Sequence, residues 1–259
     1  MSGEPNFAAA QIALNLGVPA PASARTIVQA GLRRPLDFAP GDRQVYSNFG
    51  YNVLGRIIEN VTGGNYQDYV RTRILARAEV TGMQTGFSMP DRRLPGEVQY
   101  YSPTLVTSQF PPYGMVYYPY GGFYLEGMDA SSGWVASVVD VLRFLTAVDG
   151  FASRPDVLSG AAVQEMVRLQ GNWTGTSNWY SLGWNVNSAG NWYHGGNLPG
   201  SNSVLVRLSN GIEYVAVFNA DPRPIADADF FAELLDGSIR WTYLSVASWP
   251  TIDLFNEIR

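Results

Sequence analysis

The stretch FAPGDRQVYSNFGYNVLGRIIENVTG, residues 38–63, decides how the rest of the sequence reads. Pro40 and Gly41 mark its first part as a connector. Its second part sets Val53, Leu54, Ile57, Ile58 and Val61 on one helical face. Tyr46-Ser47-Asn48 stands at the junction. Alone, the triplet reads as a capped helix start with a packed ring, because a serine there accepts from a first-turn N–H.

Outward from this stretch the pattern is first helical. Residues 6–17 and 23–33 read as two helices, and 33–44 as a proline- and glycine-bearing connector. Residues 65–77 keep helical spacing. Residues 85–127 are rich in aromatics, proline and glycine, as in QFPPYGMVYYPYGGFY (109–124), and read as a long excursion with short strands. Residues 134–148 read as a buried amphipathic helix and 160–169 as another. The last third changes period. Residues 201–208 and 212–219 alternate as strands around Asn210-Gly211, a strong hairpin signal. Residues 190–194 supply a third antiparallel strand, and 226–244 a closing helix. Helices early and strands late predict an α+β fold, not a doubly wound sheet.

Composition narrows the chemistry. The chain has 259 residues, 46% hydrophobic and 15% charged, which is a globular composition. No repeat period is visible. No apolar run reaches the about 18 residues of a membrane span, and the opening residues lack a secretion-signal pattern. Cysteine is absent, so no disulfide or thiolate metal site is available. His194 is the single histidine, which excludes a histidine-rich zinc site. A carboxylate site for magnesium or calcium stays open, without EF-hand spacing. No cofactor is implied, and the net charge of −5 argues against a nucleic-acid partner. All 17 basic residues are arginine, so no lysine can act as base, Schiff-base former or phosphate ligand.

Three segments carry a resemblance. Residues 38–63 resemble the second motif of the class C β-lactamase and penicillin-binding-protein-like serine hydrolases and esterases. MDASSGWVASVVDVLRFLTAVDG, 128–150, resembles that family's next segment. WYHGGNLPGSNSVLVRLSNGIEYVAVFN, 192–219, resembles its third motif, a Lys-Thr-Gly or His-x-Gly on an edge strand, here His194-Gly195-Gly196. They occur in family order, and the resemblance runs from about residue 17 onward.

The resemblance implies a β-lactamase/transpeptidase-like fold of one domain over 1–259. Residues 40–150 would form its helix and loop region and 180–259 its sheet. It implies an acyl-enzyme mechanism on a small ester, amide, peptide-like or β-lactam substrate. Tyr46 matches the tyrosine that takes and returns the nucleophile's proton, and Asn48 the asparagine that orients the substrate. His194 matches the lysine or histidine that lines the same pocket and supports the tyrosine electrostatically, a second catalytic residue. Gly195 and Gly196 leave the strand bare for substrate to lie along, and the Asn197 N–H matches an oxyanion donor.

One departure is chemical. The family's nucleophile motif is Ser-x-x-Lys, well upstream of the tyrosine, where lysine eases deprotonation of serine. This sequence holds no lysine, and no Gly-x-Ser-x-Gly elbow replaces the motif. The chain thus reads as a relative lacking the N-terminal strands and nucleophile helix, inactive alone. A second polypeptide or self-association would cover the exposed sheet edge and groove. The alternative is a catalytically silent relative that binds peptide or sugar through the aromatic excursion at 110–124. A third reading makes His194 a general base acting on water. Compartment stays open; a secreted or periplasmic location would follow for a full-length relative.

Overall fold

The structure is a computed structural model that describes residues 4–171, 177–220, 228–253 and 255, with the backbone alone over 228–235. The chain divides into two compact units, residues 1–74 with 83–135, and residues 75–82 with 136–259. The fold is α+β, with helices and antiparallel sheets.

The first unit holds α1 (Ala9–Leu16), α2 (Ala24–Gly31), α3 (Asn48–Thr62) and α4 (Tyr66–Arg73). Ser23, Ser47 and Asn65 cap the last three, each accepting from an N–H three residues on. Gly63, at φ +69°, ends α3 in the left-handed region. Ala9, Ala13, Ala22 and Ile27 are buried together, with Ile12 and Tyr124 against them. β1 (Gln84–Thr85) pairs antiparallel with β4 (Trp134–Val135), and β2 (Leu105–Thr107) with β3 (Met115–Tyr117). The aromatic excursion is therefore an ordered ribbon, and Leu105, Met115 and Tyr117 on it are exposed.

The apolar face of α3 lies otherwise than its spacing invites. Leu54, Ile57 and Val61 are 52%, 50% and 77% exposed. The buried line is instead Asn52 and Gly55. Asn52 Nδ2 donates to Asn6 Oδ1 and to the Gly127 carbonyl, both at 2.9 Å. A Cβ on Gly55 would come within 2.4 Å of the Ala130 Cβ, so only glycine admits this approach. Arg56, beside them, pairs with Asp129 through both carboxylate oxygens and with Glu59. Polar contacts and the close approach at Gly55 thus help to dock this helix, while Leu54, Ile57 and Val61 of its apolar stripe face outward and Val53 and Ile58 are half-buried.

The second unit holds α5 (Val138–Thr146), α6 (Gly160–Val167), the strands β5 (Asn178–Tyr180), β6 (Asn185–Asn187), β7 (Trp192–Leu198), β8 (Ser201–Arg207) and β9 (Glu213–Phe218), and α7 (Ala228–Leu244). The expected helix over 134–148 is shorter: Trp134 and Val135 belong to β4, and the Ser137 hydroxyl, accepting from Asp140 N at 3.0 Å, starts the helix. The five strands run antiparallel in sequence order. Leu145, Val148, Val163, Trp184, Val186 and Trp192 fill the core on one sheet face. Val204, Val206, Leu208 and Tyr214 face Ile239 and Tyr243 of α7 on the other. Residues 226–227 of the expected closing helix lie outside the described residues.

The turns follow local chemistry. Leu208 N donates to Ile212 O, which makes a three-residue hairpin whose last residue, Gly211, has φ +90°. Pro199-Gly200, with Gly200 at φ +79°, closes β7 onto β8.

The strand carrying the third motif is not an edge strand throughout, as the sequence reading had it. β7 lies third of five. It pairs with β8 along its whole length but with β6 only at Trp192 and Tyr193. Among the described residues, His194–Leu198 pair with β8 alone, so the strand becomes an edge only at the motif. Among the described residues, the outer strands of the sheet are β5 and β9, and β9 follows β8. A groove of about 460 Å³ lies between β9 and the end of α7, lined by Phe218, Ile239, Tyr243, Val246 and Trp249 among others. Among the described residues no helix is long and apolar enough to cross a membrane.

A charged cluster in this unit centres on the buried Asp149 and Arg207. Asp149 and Glu213 stand with Asp156 around the Arg207 guanidinium. Arg207 donates to the carbonyls of Asp149 and Gly190, each at 3.1 Å, and its guanidinium carbon lies 3.7 Å from the Phe151 ring centroid.

Candidate active site

Tyr46 and Asn48 meet at the N-terminus of α3. The Tyr46 hydroxyl donates to Asn48 Oδ1 at 3.2 Å, and Tyr46 is 52% exposed. Ser47, between them, is spent as the helix cap, accepting from Gly50 N at 3.0 Å. The next two helix donors are also taken: Asn48 N and Phe49 N donate to the two oxygens of the Glu4 carboxylate at 3.0 and 2.8 Å. A carboxylate thus sits where the helix end favours an anion. The Tyr46 phenol is raised above its ordinary value, by desolvation first, then by Tyr51 and the Glu4 charge. Glu4 was invisible to sequence reasoning, since 44 residues separate it from Asn48 and no spacing rule links them.

His194, Gly195, Gly196 and Asn197 stand together on β7 in the second unit. The imidazole is held at both nitrogens. Nδ1 lies 2.6 Å from the Gly195 carbonyl, and Nε2 lies 3.0 Å from the Tyr180 hydroxyl. The carbonyl can only accept, so the Nδ1 contact calls for a proton on Nδ1, while the Tyr180 hydroxyl can either donate to Nε2 or accept from it. Burial pushes the imidazole below its ordinary value, against the Gly195 bond that raises it. Tyr180 is a second residue the sequence reading did not single out; its short strand has no pattern long enough to mark it.

The glycines differ. A Cβ on Gly195 would find nothing closer than 3.8 Å, whereas one on Gly196 would meet the Ser203 hydroxyl at 2.3 Å. Residues two apart in a strand direct their backbone groups to the same side, so the Asn197 N–H points the way the Gly195 carbonyl does. The Asn197 side chain is tied across the hairpin: its Nδ2 donates to Asn202 Oδ1 at 2.5 Å, and Asn202 Nδ2 donates to Ala220 O at 3.0 Å. Among the described residues, no group of three or more histidine, cysteine or carboxylate side chains is arranged to hold a metal.

The structure therefore assembles two separate sets, Tyr46 with Asn48 and His194 through Asn197, one in each compact unit. The first set offers a phenol and an amide, and the second an imidazole and a strand with two glycines.

Comparison with known proteins places this architecture. The chain is similar to D-amino acid amidase from Ochrobactrum anthropi SV3 complexed with L-phenylalanine, at 22% identity and TM-score 0.62, over 86% of this chain and 66% of that one. It is similar to a penicillin-binding protein from Bacillus halodurans, at 18% identity and TM-score 0.58, over 82% of this chain and 63% of that one. It is also similar to the octameric penicillin-binding protein homologue from Pyrococcus abyssi, at 20% identity and TM-score 0.59, over 91% of this chain and 54% of that one. The chain thus spans two thirds or less of the length of these relatives. The likenesses show the β-lactamase/transpeptidase-like fold. A family profile described as Beta-lactamase matches residues 3–237. The chain belongs to the Beta-lactamase family.

Proposed function

We propose that this chain carries the Tyr-Ser-Asn and His-Gly-Gly portions of an acyl-transfer site. Its substrates would be small esters, amides or β-lactams. The attacking serine and its lysine would come from polypeptide outside this sequence. The observation that carries the reading is the absence of any lysine from a chain that otherwise keeps both later motifs in order. In the proposed reaction, Tyr46 acts as its phenolate, formed beside the incoming lysine's cation; the serine hydroxyl gives its proton to that oxygen while the serine oxygen bonds to the substrate carbonyl carbon. The Asn197 N–H holds the developing oxyanion. Collapse breaks the bond to the leaving amine or alkoxide, which takes the proton from Tyr46. Water then releases the acyl group by the same path in reverse.

The state of Tyr46 supports dependence on that missing part. A phenol with its ordinary pKa near 10 is about one part in a thousand phenolate at pH 7. Tyr46 lies higher still, with the carboxylate of Glu4 beside it where a cation would be required. The exposed edge of β9 and the groove beside it would receive a second polypeptide or a second copy of the chain. The Pyrococcus abyssi homologue is octameric, which supports association as one form of the answer.

A second reading, a silent relative that binds peptide or sugar, draws on one observation. The β2–β3 ribbon presents Leu105, Met115 and Tyr117 to solvent, an apolar surface for stacking.

Intact mass measured before and after a fluorescent penicillin or a fluorophosphonate ester tests the proposal. The purified chain alone is expected to gain no mass, and a co-purifying polypeptide is expected to take the adduct. An adduct on this chain itself would overturn the reading.

A further inference from the structure

Tyr180 belongs to no motif, yet it makes the contact that decides the state of the only histidine. Its hydroxyl is 3.0 Å from His194 Nε2, and the two rings meet edge to face with centroids 5.7 Å apart. Its place in the sheet explains the reach. Tyr180 ends β5 opposite Asn185, and Asn185 is opposite Tyr193, the last β7 residue that β6 pairs. The phenol therefore stands at the end of the ladder where the free edge begins.

The backbone around Tyr180 is fixed on both sides. Trp179 Nε1 donates to the Val167 carbonyl at 2.9 Å. Ser181 N donates to Trp184 O at 2.7 Å, Ser181 Oγ to Arg168 O at 2.6 Å, and Leu182 N to Met166 O at 3.1 Å. A side chain between two such anchors is preorganised, and it loses little freedom in holding a partner. No packing argument alone requires an oxygen there; a phenylalanine would fill the same volume.

We propose that Tyr180 is the positioning residue of His194. Its O–H donates to Nε2 while the Gly195 carbonyl accepts from Nδ1, and the two bonds fix the imidazole as the neutral Nδ1–H tautomer beside the free edge of β7. Tautomer selection by a partner on the opposite nitrogen is a general property of histidine. The ring thereby holds the Gly195 carbonyl, and with it the side of the strand on which the Asn197 N–H lies. What the ring does there rests on the acyl-transfer reading; how it is held does not.

A single histidine makes the test direct. Long-range ¹H–¹⁵N correlation spectra of the full chain report both ring nitrogens without assignment by mutation. In the unsubstituted protein near neutral pH, Nδ1 is expected as the protonated, pyrrole-type nitrogen and Nε2 as the pyridine-type one. Tyr180→Phe, which removes one oxygen, is expected to move the Nε2 resonance downfield, toward that of a pyridine-type nitrogen without a donor. Tyr193→Phe is the control and is expected to leave the spectrum unchanged. A proton on Nε2 in the unsubstituted protein, or a doubly protonated ring, overturns the proposal. So does an Nε2 resonance that Tyr180→Phe leaves in place, or that Tyr193→Phe moves equally. Should Tyr180→Phe not fold, the tautomer of the unsubstituted protein decides alone. None of these readouts depends on turnover, so failure of the acylation experiment and failure of this one are distinct results.

Discussion

The Glu4 carboxylate and the Tyr46 phenol share the mouth of α3: the group that accepts from Asn48 N and Phe49 N also raises the phenol. Glu4→Gln therefore does two things. It removes a charge from a helix N-terminus, which costs about 0.3–1 kcal/mol. It also lets Tyr46 ionise at lower pH, though still above its ordinary value, because desolvation is the larger cause. A pH titration followed by NMR of ring-labelled tyrosine reads this shift. An unmoved Tyr46 would show that Glu4 acts on the helix alone.

Asp149 and Glu213 make the second unit sensitive to alkali. Glu213 is held up to about 8, chiefly by desolvation, then by the Asp149 charge, against the pull of Arg207. A carboxyl raised above its unfolded value stabilises the fold fully below that value, and the contribution is lost as pH rises through the folded one. The window here runs upward from the ordinary 4.5 to about 8. Thermal unfolding is expected at lower temperature at pH 9 than at pH 6. Glu213→Gln, which keeps the shape without the charge, is expected to flatten that difference. Equal pH dependence in the two proteins would remove Glu213 from the account.

The paired glycines of β7 separate packing from access. Gly196→Ala forces the Ser203 hydroxyl aside and is expected to cost about 1–3 kcal/mol, the range for overpacking. Ser203→Gly in the same chain should return most of that loss in denaturant melts. Gly195→Ala places its Cβ at an ordinary contact distance, 3.8 Å from the Ser203 carbonyl oxygen. It is expected to leave stability nearly unchanged while weakening any ligand laid along the strand edge, as read by calorimetry.

The outward stripe of α3 yields a solubility prediction. Leu54, Ile57 and Val61 are half or more exposed, so Leu54→Gln with Val61→Gln changes the solvent-facing side of the helix. Thermal stability is expected to stay within about 0.5 kcal/mol, as for surface changes. Self-association in light scattering is expected to fall, and a lowered melting temperature would mean that the stripe is covered.

What could be read beforehand was what neighbours in sequence decide. The Ser47 cap and the Asn210-Gly211 hairpin depend on residues within a few positions and were legible. So was the general α+β order. The strands β5 and β6 were not, because three residues are too few to show alternation against a helical background. The Trp134–Val135 strand was hidden by the apolar helix that follows, although Ser137 three residues before Asp140 marks the boundary. Periodicity showed which residues of α3 share a face, but a face does not name its partner. That Asn52 and Gly55 would be the buried line needed Asn6, Gly127 and Ala130, all distant in sequence. In the site, motif residues were legible one by one, while Glu4 and Tyr180 came only with the folded chain.

The short strand β6 has a consequence for how this site could be altered. The opening beside His194 exists because β6 begins opposite Tyr193 and lends β7 no partner beyond it. Its width is therefore a matter of length in a neighbouring hairpin, not of identity at the motif. Two or three residues inserted into the turn at 181–184, allowing β6 to start earlier, would zip the seam shut with every motif residue intact. Deletions and insertions in that turn, more than point changes at His194 or the glycines, are the natural dial for how much guest backbone the sheet can accept.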